Sequence, residues 1–396
     1  MTALKRLFSE GFRIFFLAAG LFAVLAMALW ERWIAAQALG QEAGFPAAAM
    51  PQHWHAHEMI FGFGGAALAG FFLTAVPNWT GAKGAPHRFI ALVAALWLAG
   101  RLALWFSGGL PPGVVALADL AFAPVLAGQL LEQLIRKPKA QQMILLALLA
   151  LFWTANLLTH LEWMGLTGTL WAGLRGGLLT LGAMIMVLGG RVTPGFTRNA
   201  MVATGRDSRL PRNPAPLAAV SIAASVGVAA GYLAGLPEPV LGGLAVVAGL
   251  AGLARVALWR SGWTWDKPIL WVLHLSYAAN AAGFAMLGLA GLGFGSEIAA
   301  LHLLGIGGVG GMTLAIMSRA SLGHTGRPLV APRAVALAYA LLPLAALLRY
   351  LGSAVPGAHD PALLLAGGLW MAAFALFVVR LWPVWWAPRL PRAAAD

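Results

Sequence analysis

Residues 53–63, HWHAHEMIFGF, place three of the chain's 9 histidines within five positions, followed at once by Glu58 and a glycine-rich apolar run. Imidazoles and carboxylates are the groups that ligate metals and move protons. His53 and His57 are four apart and share a face if the segment is helical, whereas His55 points the other way. Further along, His302 opens a second glycine-rich run, and His160 closes another apolar segment. Two neutral imidazoles facing each other across a helical bundle is the arrangement that ligates haem iron, which makes His57 and His302 a candidate axial pair. Arg101, Arg175 and Arg349 are then candidates to hold the anionic haem propionates, a bidentate task suited to guanidinium. The chain has no cysteine, so a copper site must use His, Met or carboxylate; His53, His55 and His160 are the candidate set. A rival set is His274 with His324. Two plainer readings stand beside these. Arg101 and Asp119 are placed to pair across a hairpin, and glycine stripes commonly serve helix packing.

Apolar residues make up 60% of the chain and charged residues 10%, far from the composition of soluble domains. About twelve apolar runs are long enough to cross a bilayer, and runs of this length satisfy their backbone in lipid as helices. The expected fold is an all-α polytopic membrane protein forming one transmembrane domain over 1–396. The opening KRLFSEGFRIFFLAAGLFAVLAMALW also has the layout of a secretory signal ending at Ala26-Met27-Ala28, but it reads as the first span. The loops NWTGAKGAPHR and GFTRNAMVATGRDSRLPRNPAP read as ordinary connections.

The net charge of +13 is distributed by side. Of the 26 Lys and Arg, all but Arg32, Arg101, Arg175 and Arg349 fall at the termini and in alternate loops. That asymmetry predicts both termini in the cytoplasm, and it orients the protein rather than announcing nucleic acid as a partner. His53, His55, His57, His160 and His302, with Asp119 and the three arginines, then gather on the outer side. His87, His274 and His324 fall on the inner side, and His359 in the last outer loop.

The segments 57–81, 174–198 and 302–326 are of equal length. The first and third open with His and end in Thr-Gly; the second shares Thr197 and places Pro194 where the first has Pro77. They fall in runs two, six and ten, which suggests internal repeats of four helices, 1–137, 138–262 and 263–396.

HWHAHEMIFGF, GGRVTPGFTRNA, PILWVLHLSYAANAAGF and ALHLLGIGGVGGMTLAIMSRASLGHTGRP together resemble the signature segments of the NnrS family over essentially the whole chain. The resemblance implies a twelve-span protein of the bacterial inner membrane, containing haem b and copper and associated with denitrification and defence against nitric oxide. A weaker likeness, of layout alone, is to the catalytic subunits of haem–copper oxidases and nitric oxide reductases. Those have twelve helices in pseudo-threefold array, with a low-spin haem between helices two and ten. Their catalytic metal is held by histidines on helices six and seven; LWAGLRGGLLTLGAM and APLAAVSIAASVGVAAGYLAG contain none, so that site is not carried over.

The leading functional expectation is thus a haem and copper protein that binds or converts nitric oxide or a related species. Whether it is a membrane oxidoreductase is left open by the residues. No dinucleotide fingerprint or Cys-x-x-Cys-His attachment is present, so electrons would come from quinol or a partner protein. A transporter of a metal ion or small anion, and a haem-holding sensor or assembly factor without turnover, are the alternatives.

Overall fold

In a computed structural model the described residues are 2–136, 140–354, 357 and 359–391. They form helices and connections, with no strand among them. Twelve of these helices are long and apolar enough to cross a membrane, so the chain is a multi-pass membrane protein. Lys137, Lys139 and Arg392, part of the charge pattern above, lie outside the described residues, as does the expected repeat boundary at 137/138.

The chain divides into two compact units. The first comprises residues 1–174, 317–335 and 374–396. It contains α1 (Gly11–Ala38), α2 (Pro51–Thr80), α3 (His87–Trp105), α4 (Pro112–Ile135) and α5 (Met143–Trp163), together with segments of later helices. Residues 175–316 and 336–373 make the second unit. Most of α6 (Leu170–Ala203) lies there, with α7 (Ala215–Leu233), α8 (Glu238–Ala257) and α9 (Pro268–Gly291). So do most of α10 (Glu297–His324) and α11 (Arg333–Ser353), and the first half of α12 (His359–Trp386).

In the first unit, Phe12, Phe15 and Phe16 of α1 are buried in the core. Arg13, also buried, caps the end of α12: its guanidinium donates to the carbonyls of Trp385 at 2.9 Å and Ala387 at 3.0 Å and pairs with Glu10 at 3.0 Å. Helix ends leave carbonyls unpaired, and in apolar surroundings a fixed cation is an economical partner for them.

Helix irregularities do most of the positioning. Helices α2, α6 and α10 each contain a π-helical stretch, at Glu58–Phe63, Ile185–Gly189 and Leu303–Gly310. These are the three helices whose sequences align, and in α2 and α10 the π turn starts directly after His57 and His302. Such turns re-aim side chains and are frequent at functional sites. In α4 the break comes from Pro124, which cannot donate to the carbonyl of Leu120. Trp153 of α5 donates its indole N–H to that carbonyl at 3.1 Å.

α6 runs well beyond its apolar stretch, through RVTPGFTRNAMVA to Ala203, where the sequence suggested a loop from Gly195 onward. Thr193, Thr197 and Met201 are buried at four-residue intervals. A one-sided buried stripe thus sustains a helix that hydropathy alone does not reveal.

The glycine-rich faces prove to be packing faces at most positions. A side-chain carbon at Gly62 would lie 2.5 Å from Phe22 and 2.9 Å from the Arg101 guanidinium; at Gly308 it would lie 2.9 Å from the backbone of Asn280. Only glycine lets these neighbours approach so closely. Of Gly62, Gly65, Gly305, Gly307, Gly308, Gly310 and Gly311, only Gly65 and Gly305 would meet nothing nearer than 3.4 Å.

Candidate metal centre

In the first unit, α2, α3, α4 and α5 converge on a buried polar cluster of His57, Glu58, Arg101, Asp119, Asn156 and His160. Its bonds run as a closed network. Arg101 pairs through a very short contact with Oδ1 of Asp119, and its Nε lies 3.2 Å from Oε2 of Glu58. Asn156 donates its amide to Oδ2 of Asp119 at 2.7 Å, which turns its own Oδ1 to face Nε2 of His57, also at 2.7 Å. Nδ1 of His57 lies 3.0 Å from Oε1 of Glu58. Nε2 of His160 lies 2.9 Å from Oδ2 of Asp119.

Local structure explains why these groups meet. Gly100 lets α4 press against α3, because a side-chain carbon there would lie 2.7 Å from Oδ1 and 2.9 Å from Cα of Asp119. Asp119 sits one residue before Leu120, whose carbonyl Pro124 leaves unpaired. Asn156 and His160 are four apart and so share one face of α5. Trp163 lies against both rings, with centroids 5.1 Å from His57 and 5.3 Å from His160.

One feature of the chemistry stands out. Glu58 and Asp119 carry two negative charges against the single guanidinium of Arg101, in a site cut off from water. Isolated buried charge is expensive, so the cluster calls for one more positive charge, from a metal ion or from a proton on an imidazole. The donor atoms suit a metal. One nitrogen each of His57 and His160 and one oxygen of Asp119 lie within 4.8 Å of one another. Among the described residues this is the group of three ligating side chains that comes together. The supporting shell is also of the expected kind: Glu58 fixes His57 through Nδ1 and Arg101 fixes Asp119 through Oδ1, while Nε2 of His57 and Oδ2 of Asp119 are held by the Asn156 amide, which a metal ion would displace.

The residues singled out from the sequence are distributed as follows. His160 is in the cluster, but His53 and His55 are not. His53 packs edge-on against Trp171, with centroids 5.3 Å apart, and His55 stacks on Trp30 at 4.5 Å. His57 offers no bare nitrogen for axial haem ligation, since both ring nitrogens face oxygen partners. His302, in the second unit, differs. Its Nδ1 donates to the carbonyl of Ile298 at 2.7 Å, the bond that leaves the lone pair on Nε2, as an iron ligand requires.

Arg101 is committed to Glu58 and Asp119. Arg175 is committed to Glu297, at 2.5 and 2.7 Å, and more weakly to Glu238 at 3.4 Å. Arg349 bonds to the hydroxyl of Ser353 and, among the described residues, pairs with no carboxylate.

His274 has both nitrogens occupied by hydroxyls, Thr197 at 2.8 Å and Ser261 at 2.9 Å, and His324 stacks on Phe12 at 5.7 Å. Sequence reasoning missed Asn156 and Glu58 as members of the site and paired Asp119 with Arg101 without naming it as a metal ligand. Two signals pointed to them: the four-residue spacing of Asn156 and His160, and the adjacency of Glu58 to His57.

Fold and site define a class: polytopic helical membrane proteins with a buried histidine–carboxylate centre. The family model described as NnrS protein matches residues 6–389, and the chain belongs to that family. A comparison with the curated proteins finds no match.

Proposed function

We propose that this protein is a haem and copper protein of the bacterial inner membrane, with both termini in the cytoplasm, acting in the response to nitric oxide. Family membership supports the role in that response. The observation that carries the metal reading is the buried His57–Asp119–His160 triad with its excess negative charge. Two imidazoles and a carboxylate, with no thiolate, form a donor set compatible with copper. Haem is assigned to His302, whose Nε2 has no hydrogen-bond partner among the described residues, with Arg349 as the propionate partner; both belong to the second unit. When bound, haem iron and copper supply sites for the diatomic ligand and for one-electron exchange.

The chain's own residues hold and tune these sites. Glu58 keeps the proton of His57 on Nδ1, Arg101 keeps Asp119 ionised and oriented, and Trp163 closes the centre against water. Electrons would reach such a protein from quinol or a partner protein.

Metal analysis and an absorption spectrum of the detergent-purified protein test this reading, using two variants. His302→Ala should lose the Soret band and keep copper; His160→Ala should lose copper and keep the Soret band. A colourless, metal-free wild-type preparation would overturn the proposal and leave the buried cluster to a transport pathway, where intramembrane ionisable groups also occur.

A further inference from the structure

A second feature of the first unit lies away from the histidine cluster. Where α2 ends and the last turns of α4 pass beside it, a cavity of about 350 Å³ opens, lined by Thr80, Gly81, Lys83, Gln129, Glu132 and Gln133, among others. That is within the range of small-molecule sites, roughly 300–1,000 Å³, and several of its lining side chains can hydrogen-bond or carry charge. Gln133 is 8% exposed, and its amide nitrogen is anchored on the carbonyl of Lys83 at 3.4 Å. Its Oε1 is buried and accepts no hydrogen bond among the described residues.

A buried carboxamide oxygen without a donor is uncommon in a native structure. It is explained most directly by a ligand that brings an N–H. Lys83 adds a cation at the rim, exposed to solvent. The rim therefore suits an anion, and the buried Oε1 of Gln133 calls for an N–H donor.

We propose that this cavity binds an amino-phosphate zwitterion, with the phosphate at Lys83 and the primary ammonium donating to Oε1 of Gln133. Its position at the ends of two membrane-length helices makes a phosphoethanolamine lipid headgroup the ligand present there in quantity; a free amino-phosphate carries the same chemistry. The choline headgroup has the same charges but no N–H, so it satisfies Lys83 and leaves Gln133 unpaired.

The test is native mass spectrometry of the full-length protein after exchange with vesicles of phosphatidylethanolamine, phosphatidylcholine or phosphatidylglycerol. Wild-type protein should retain phosphatidylethanolamine about tenfold over either of the others, the effect of one charge-assisted hydrogen bond. Lys83→Ala, at an exposed position, should lower retention of phosphatidylethanolamine. Gln133→Leu should remove the preference over phosphatidylcholine. Equal retention of the three lipids by wild type, a preference for phosphatidylglycerol, or unchanged behaviour of Lys83→Ala would overturn the proposal.

Soluble phosphoethanolamine separates the two sources. If it displaces the lipid, the headgroup chemistry alone suffices; if it does not while the lipid preference persists, the ligand is a membrane lipid.

Discussion

Two of the buried arginines, Arg101 in the first unit and Arg255 in the second, have surroundings that differ in kind. Arg101 faces the carboxylates of Glu58 and Asp119, with imidazoles close by. Arg255, 1% exposed, has no carboxylate partner among the described residues. Its guanidinium donates to the carbonyls of Met186 at 3.0 Å and Gly190 at 2.9 Å, to Asn213, Ser221 and Tyr277, and it lies over the rings of Trp259 and Tyr277. The two carbonyls come from the irregular part of α6: Met186 is in the π turn, and Pro194 cannot donate to Gly190.

Arg255 is therefore saturated by neutral acceptors that a distorted helix exposes, and it holds that distortion in place. Around Arg101 the acceptors outnumber the positive charge, and the surplus is formed by metal-ligating atoms. A buried cation whose bonds are all met marks structure. A buried anion excess beside imidazoles marks a site.

The contrast is sharpest when each arginine is removed. Arg255→Met should destabilise the second unit by about 3 kcal/mol or more, because several buried acceptors lose their donor at once. A large fall in the thermal unfolding midpoint of purified protein, with little of it monodisperse, is the expected readout; wild-type stability would end the structural assignment.

Gly100→Ala comes next. The added carbon collides with the backbone of Asp119, so α3 and α4 must separate. Copper content should fall while haem is kept; retention of both would show that the close approach does not shape the centre.

Glu58→Gln acts more gently. It removes the carboxylate that fixes His57 and should weaken metal binding by about 10- to 100-fold, measured by competition with a chelator.

His53→Ala should matter least. It loses a ring contact with Trp171 of about 0.5–1.5 kcal/mol and leaves the metal stoichiometry as in wild type. If this variant loses copper, the donor set is the one read from the sequence, and the triad is not the centre.

Much of the fold was legible because the bilayer is a demanding solvent. Backbone groups must pair internally, so apolar run length counts helices reliably, and the twelve or so expected runs correspond to twelve membrane-length helices among the described residues. The runs fell short where polar residues sit on one face of a continuing helix, as in α6 beyond Gly190. Hydropathy averages around the helix and cannot see that face.

His57, His160 and Arg101 could be flagged from the sequence because ionisable residues in membrane spans are costly. Which of them meet could not be read there. The meeting of His57 with Asp119 and His160 depends on a π turn after His57, a glycine at position 100 and a proline-broken carbonyl at Leu120, each of which shifts a side chain by a fraction of a helical turn. Composition and charge pattern alone determined that this chain lives in a membrane. Their physical basis is the price of unpaired polar groups in hydrocarbon, a quantity summed along the chain. The identity of the donor set was decided only by tertiary packing, because ligation depends on ångström-scale distances between helices remote in sequence.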